Sequence, residues 1–167
     1  HIDPVYRATV IAYKYIGIPR GVQLVDDAAL AEIEEALQIA VQTTDDIALV
    51  LVNLALGVAL VHHGPASRQR GYEVLARLRE SCVEQNYGMN AVPMFDLYGA
   101  RRMAESGDLD GAIDRLRAVS GDIYDTRNLG NSDIATAMLV ETLLERGTDD
   151  DLIEAEAAID TMMTTLG

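Results

Sequence analysis

Residue types that could hold a metal or move a proton gather at three places in this chain: His62-His63, Asp108-Leu109-Asp110-Gly111 and Asp150-Asp151-Leu152-Ile153-Glu154. The last is an acidic run of the kind that binds magnesium. Such a site needs a second cluster facing it across a deep apolar cavity, and 167 residues are too few to enclose one. Helix capping explains the run more simply, because carboxylates at a helix start accept its free amide hydrogens. Asp108-x-Asp110-Gly111 has the look of a fragment of a calcium loop without the further oxygen ligands or the closing glutamate, so a turn and a cap suffice. The adjacent histidines point about 100° apart on a helix. No cysteine or third histidine stands at ligand spacing, and a place near a helix C-terminus, where His favours the dipole, accounts for them. Lys14 lacks the preceding glycines of a nucleotide loop, and no Ser or Cys has a persuasive His partner. The expectation is a segment with no catalytic residue, no metal and no cofactor.

Charge narrows the choice of partners. Twelve Arg and a single Lys stand against 27 acids, a formal net charge of −14. A domain this acidic is repelled by phosphate backbones, which argues against nucleic acid. With 49% hydrophobic residues, 13 Gly and 4 Pro, the chain fits neither disorder nor a many-turned β-sandwich. Cys82 is alone, so a buried, reduced thiol and the cytoplasm are expected. The most apolar run, Ile47 to Val61, is interrupted by Asn53 and Gly57 and falls short of the roughly 20 residues that span a bilayer. It reads as a buried helix, with no membrane partner. The start at His1 and the stop straight after a helical pattern suggest a segment of something longer.

Helix punctuation then sets out the elements. Asp3-Pro4 starts a first helix that carries Tyr6, Val10 and Tyr13 at helical spacing to Ile16, before Gly17 and Pro19 end it. Asp26 or Asp27 caps a second, with the stripe Leu30, Ile33, Leu37 and Ala40, ending near Thr43. Asp45-Asp46 starts a third, apolar on nearly every face to Val61 and stopped by Gly64-Pro65. The fourth, roughly 66 to 86, sets Tyr72, Leu75, Leu78 and Cys82 against a charged ladder of Arg70, Glu73, Arg77 and Glu80. Four more follow at about 92–106, 109–125, 132–146 and 149–166, broken by Gly107, Asn128-Leu129-Gly130-Asn131 and Gly147. No strand is expected.

The second helices align as Leu30/Ile33/Leu37/Ala40, Gly71/Val74/Leu78/Ser81, Leu109/Ala112/Leu116/Val119 and Leu152/Ala155/Ile159/Met162. Their third positions lie 41, 38 and 43 residues apart, a period of about 40 in four copies. A helical hairpin cannot bury its apolar stripe alone, so the copies must stack. The expected fold is all-α, a right-handed stack of about four antiparallel hairpins at about 4–43, 45–86, 92–125 and 132–166 in one domain of residues 1–167, without a sheet. Gly57, Gly107, Ala112 and Ala155 resemble the small residues that let paired helices approach in a tetratricopeptide repeat. The period is longer than the usual 34, and the first-helix Trp and Tyr and the closing Pro are missing.

Two stretches are more specific, Met103 to Ile113 (MAESGDLDGAI) and Leu139 to Gly147 (LVETLLERG) continuing to Glu154–Asp160. They resemble the helical-repeat region of large actinobacterial regulators, in which a class III nucleotide cyclase domain precedes an ATPase domain and the repeats, and some relatives end in a LuxR-type DNA-binding domain. The resemblance covers roughly the last 70 residues. It implies a repeat segment of a cytoplasmic signalling protein whose adenylate cyclase and ATPase activities reside elsewhere.

Within such a segment the expected function is a non-catalytic protein-interaction or regulatory module, its partner a protein or other domains of the parent chain. From Arg68 to Arg102 the chain is +2 inside a −14 whole, and Arg68, Arg70, Arg77, Arg101 and Arg102 form a candidate docking patch for a carboxylate-bearing partner. Intramolecular pairing with the chain's own acids is the competing account. The alternative function is a small-molecule sensor closed around a ligand, with Asn53, Tyr6 and Tyr13 facing it. On the last helix Leu152, Ala155, Ile159, Met162 and Leu166 follow a seven-residue seam, expected to meet a further repeat or to pair two copies as a homodimer.

Overall fold

The computed structural model describes residues 3–18, 25–125 and 131–166, with side chains at all of these except 123–125 and 165–166. The expected Asn128-Leu129-Gly130 break, Pro19 and the Leu166 side chain lie outside the described parts. Eight α-helices, a short 3-10 turn at Met89–Ala91, and no strand are found among the described residues. The fold is an all-α helical repeat. The helices are α1 (Pro4–Ile16), α2 (Asp27–Thr43), α3 (Asp46–His63), α4 (Pro65–Glu84), α5 (Val92–Glu105), α6 (Leu109–Asp125), α7 (Ser132–Arg146) and α8 (Asp149–Leu166).

Their starts are set by short polar side chains that satisfy the first amide hydrogens. Asp3 accepts from the amides of Val5 at 2.8 Å and Tyr6 at 3.3 Å, Asp26 from Ala29 at 2.8 Å, and Asp45 from Ala48 at 2.8 Å. Gly107 and Gly147 end α5 and α7 with φ of 91° and 73°, the left-handed region where a side chain is strained. Gly107 has open space around its α-carbon, so it serves the turn and not the close helix approach expected of it.

The chain divides into two compact units, His1–Met89 and Asn90–Gly167. In the first, α3 packs against α1, α2 and α4, which is why nearly every residue from Val52 to Val61 is buried. This helix is long and apolar enough to cross a membrane, and here its second half, Val52 to Val61, packs against its three neighbours. In the second, α6 packs on α5 and α7, and α7 on α8, so hairpins alternate first and second helices along the unit.

Two of the expected stripes are rotated. On α1 the buried residues are Ala8, Ile11, Ala12 and Tyr15, whereas Tyr6, Val10 and Tyr13 are 65%, 49% and 63% exposed. On α2 Ala29 and Ala36 are buried beside Ile33 and Ala40, and Leu30 and Leu37 are only half-buried. Alanines sit where helices come closest, and the larger side chains border the contact.

The tightest approach is α3 on α4. A β-carbon on Gly71 would lie 2.8 Å from the Gly57 carbonyl oxygen and 2.7 Å from the Val61 amide nitrogen, and one on Gly57 would lie 2.6 Å from Leu75. The obstacles to Gly71 are backbone atoms, which cannot swing aside. Gly71→Ala is therefore expected to destabilise the chain by about 1–3 kcal/mol, whereas Gly121→Ala, in open space on α6, should stabilise it by about 0.5–1 kcal/mol. Urea unfolding of the two variants checks this, and a neutral Gly71→Ala would contradict the close crossing.

Candidate functional site

The second unit carries an ion-pair frame. Arg115 on α6 passes over Gly99 of α5, whose missing side chain leaves its guanidinium room, and reaches Asp96. Arg117, also on α6, grips Glu154 of α8 with two hydrogen bonds of 2.7 and 2.6 Å, which raises the arginine's pKa and lowers that of the glutamate. Arg146, in the last turn of α7, binds Asp110 of α6 at 2.6 Å and holds both carboxylate oxygens of Asp151 on α8.

Asp151 is 1% exposed. Its carboxylate also accepts from the Thr148 amide at 2.9 Å, while its own amide donates to the Thr148 hydroxyl at 3.2 Å, a reciprocal cap at the start of α8. The Arg146 guanidinium, with the Thr148 donors behind it, holds the Asp151 carboxyl well below the usual carboxylate range. The acidic run Asp150–Glu154 is thus employed in capping and pairing. Asp108 caps α6 in the same way, accepting from the Gly111 amide at 3.0 Å, and a side chain on Gly111 would collide with it. Among the described residues no group of three His, Cys, Asp or Glu is placed to hold a metal.

A pocket of about 170 Å³ opens on the same unit between α5, α6 and α7. Leu116, Met138 and Thr142, all buried, form its floor with Ala104, and Arg101, Glu105, Glu141 and Glu145 form its rim. The Thr142 hydroxyl is turned back to the Met138 carbonyl at 2.7 Å, so the floor is apolar in effect. Arg101 is bound to Glu105, one turn along α5, at 3.3 Å. Glu141 and Glu145 lie one turn apart on α7, both exposed. Like charges at that spacing cost a helix about 0.2–0.5 kcal/mol. Three carboxylates to one guanidinium leave the rim acidic.

The residues singled out from the sequence fall in both units. Arg101 lies at the pocket, and Arg102 is exposed beside it in the chain. Arg68, Arg70 and Arg77 are on α4 in the first unit, where Arg68 donates to the Val61 carbonyl at 3.4 Å, Arg70 approaches Glu34 at 3.8 Å, and Arg77 donates to the Glu73 carbonyl at 3.3 Å. Asn53 donates to the Leu49 carbonyl one turn back at 2.8 Å, and Tyr6 and Tyr13 point to solvent on α1. His63 binds Asp27 at 3.0 Å, tying the end of α3 to the start of α2. Cys82 is buried, which pushes its thiol pKa up. On α8 Leu152 and Ile159 are 53% and 42% exposed, Met162 is half-buried and Ala155 is buried.

Glu141 and Glu145 were not singled out in the sequence. The signal was available, since two glutamates one turn apart on the first helix of a hairpin, without a basic neighbour at helical spacing, are an unfavourable choice for the helix alone. Comparison with family models, curated proteins and solved structures finds no match to this chain.

The Asp151 pairing sets an acid limit on stability. Because its carboxyl is depressed in the folded state, its contribution is complete above the ordinary value of 3.8 and is lost as pH falls below it toward the folded-state value. Asp151→Asn should be destabilised at neutral pH, and its deficit against the parent chain should shrink below pH 3.8. Urea midpoints measured across acid pH check this, and a deficit independent of pH would contradict it.

Proposed function

We propose that this chain is a non-catalytic protein-interaction module, a regulatory repeat segment of a larger cytoplasmic signalling protein. The observation that supports this reading is the pocket between α5, α6 and α7, which is open to solvent, apolar at its floor and rimmed by charge. Pockets that read a partner's side chain have this form, whereas small-molecule sites bury most of their ligand. The polar groups near it are engaged in structural work: Thr142 bonds its own helix, and Arg101 bonds Glu105.

The rim also favours a partner chemistry. Arg101 is already neutralised by Glu105, and Glu141 and Glu145 carry the surplus, so a Lys or Arg side chain fits better than a carboxylate. Between Asn90 and Gly167 sixteen acids stand against six arginines, a net charge of −10, which steers basic partners toward this unit. The parent chain is proposed to be of the cyclase–ATPase regulator kind, on the resemblance of Met103–Ile113 and Leu139–Asp160.

A peptide array probed with the whole chain tests the reading. Bound peptides should be rich in Lys or Arg, and Glu141→Gln/Glu145→Gln should weaken them about tenfold while the melting temperature holds or rises slightly as the like-charge repulsion is removed. Acidic peptides lost on Arg101→Ala/Arg102→Ala would reverse the partner chemistry. A saturable thermal shift with a nucleotide, sugar or amino acid, and no peptide binding, would replace the module with a sensor.

A further inference from the structure

α7 has one arc that its neighbours leave uncovered. It packs on α6 and α8 and stands beside α5, and these bury the face that carries Met138, Leu139 and Leu143. On the remaining arc Ala137, Glu141, Leu144 and Glu145 are exposed and Val140 is half-buried. Among the described residues of the second unit, Leu144, at 53%, is the most exposed large apolar side chain outside α8. At about 100° per residue, Ala137 and Leu144 point within about 20° of each other, with Val140 to one side of them and Glu141 and Glu145 to the other. The arc is therefore an apolar strip whose acidic border is the rim of the pocket over Leu116 and Met138.

Nothing in the chain neutralises that border. The carboxylates of Glu141 and Glu145 make no hydrogen bond or ion pair among the described residues. Arg146, the basic residue of α7, points away from them and is held by Asp110 and Asp151. A cationic partner is the charge complement.

The backbone decides the form of that partner. The strip consists of side chains on a helix whose own amides and carbonyls are spent within it, so it offers no main-chain donor or acceptor to an incoming chain. An extended peptide laid on it would leave main-chain groups facing Ala137, Val140 and Leu144 without partners, which is costly, whereas a helix brings those groups already bonded. The three- and four-residue spacing of the strip also matches the ridges of a second helix, and the small Ala137 lets the two axes close.

We propose that the strip and the pocket together receive one amphipathic helix of a protein partner. Its apolar residues lie on Ala137, Val140 and Leu144, and a row of Lys or Arg runs along the border of Glu141 and Glu145. One of these basic residues lowers its aliphatic stem onto Leu116 and Met138. This rests on the reading of the pocket as a site for a basic side chain, and adds the form of the partner and the face that holds it.

Fluorescence anisotropy of labelled peptides against the whole chain tests it. Three peptide sets share one composition of Leu, Arg and Ala and a length of about 20 residues, enough for a helix in water. In the first, Leu and Arg recur at helical spacing on adjoining faces, in every register; in the second they alternate as in a strand; in the third they are scrambled. The helical set should bind about tenfold tighter than either of the others, and a central proline should abolish its binding. Leu144→Ser should weaken the helical set about tenfold, with the fold verified by circular dichroism, whereas Tyr13→Ser, at a 63% exposed position on α1, should not. Equal binding of the alternating or scrambled set, tolerance of the proline, an unaffected Leu144→Ser or an equal loss in Tyr13→Ser would each overturn this inference. The pocket reading would survive these outcomes as long as Glu141→Gln/Glu145→Gln still weakened binding. If no set binds, both fall.

Discussion

A helix in a hairpin has an apolar surface wider than its own partner can cover, and that constraint governs this molecule. α3 meets it from Val52 to Val61, where it lies against α1, α2 and α4 and can be apolar on almost every side, while Ile47 in its first turn stays exposed. α6 meets it between α5 and α7. α8, held by α7, leaves Leu152, Ile153, Ile159 and Met163 exposed. Burial is thus a property of neighbouring hairpins rather than of any one of them, as in repeat proteins generally.

Close approach is the second half of the same constraint. Gly57 and Gly71 bring the backbones of α3 and α4 almost into contact, and Ala112 and Ala155, 0% and 4% exposed, supply small residues on the second helices of the other unit. Arginine then ties neighbours together where the apolar contact ends: Arg115 joins α6 to α5, Arg117 joins α6 to α8, and Arg146 joins α7 to both α6 and α8. The side chains of the second unit that looked most like chemistry, Asp108, Asp110, Asp151 and Glu154, are the counterparts in this frame or the caps of its helices. What remains for recognition is the shallow pocket where α5 and α7 stand beside each other over Leu116.

Much of the architecture could be read from local chemistry. The bounds of α1, α6, α7 and α8 follow from Asp3-Pro4, Gly107-Asp108, Gly147 and the acidic first turn at Asp149, because caps and breakers act within a few residues of themselves. Which face of a helix turns inward was less legible. Tyr6, Val10 and Tyr13 outweigh Ala8 and Ala12 by size, but a close helix contact selects the small residues, so the stripe on α1 falls on the opposite side. The same preference moves the α2 stripe from Leu30 and Leu37 to Ala29 and Ala36. The site was least legible, since Arg101, Leu116 and Glu141 come from three helices and only packing brings them together.

The central claim is that neighbour coverage sets the order of this structure helix by helix. Native-state hydrogen exchange on the dilute chain measures it directly. Amides of α3, enclosed by three helices, and of α7, set among α5, α6 and α8, should exchange most slowly, and those of α8, which packs on α7 alone and leaves Leu152, Ile153, Ile159 and Met163 exposed, clearly faster than those of α7. Protection of α8 equal to that of α7 would contradict the account.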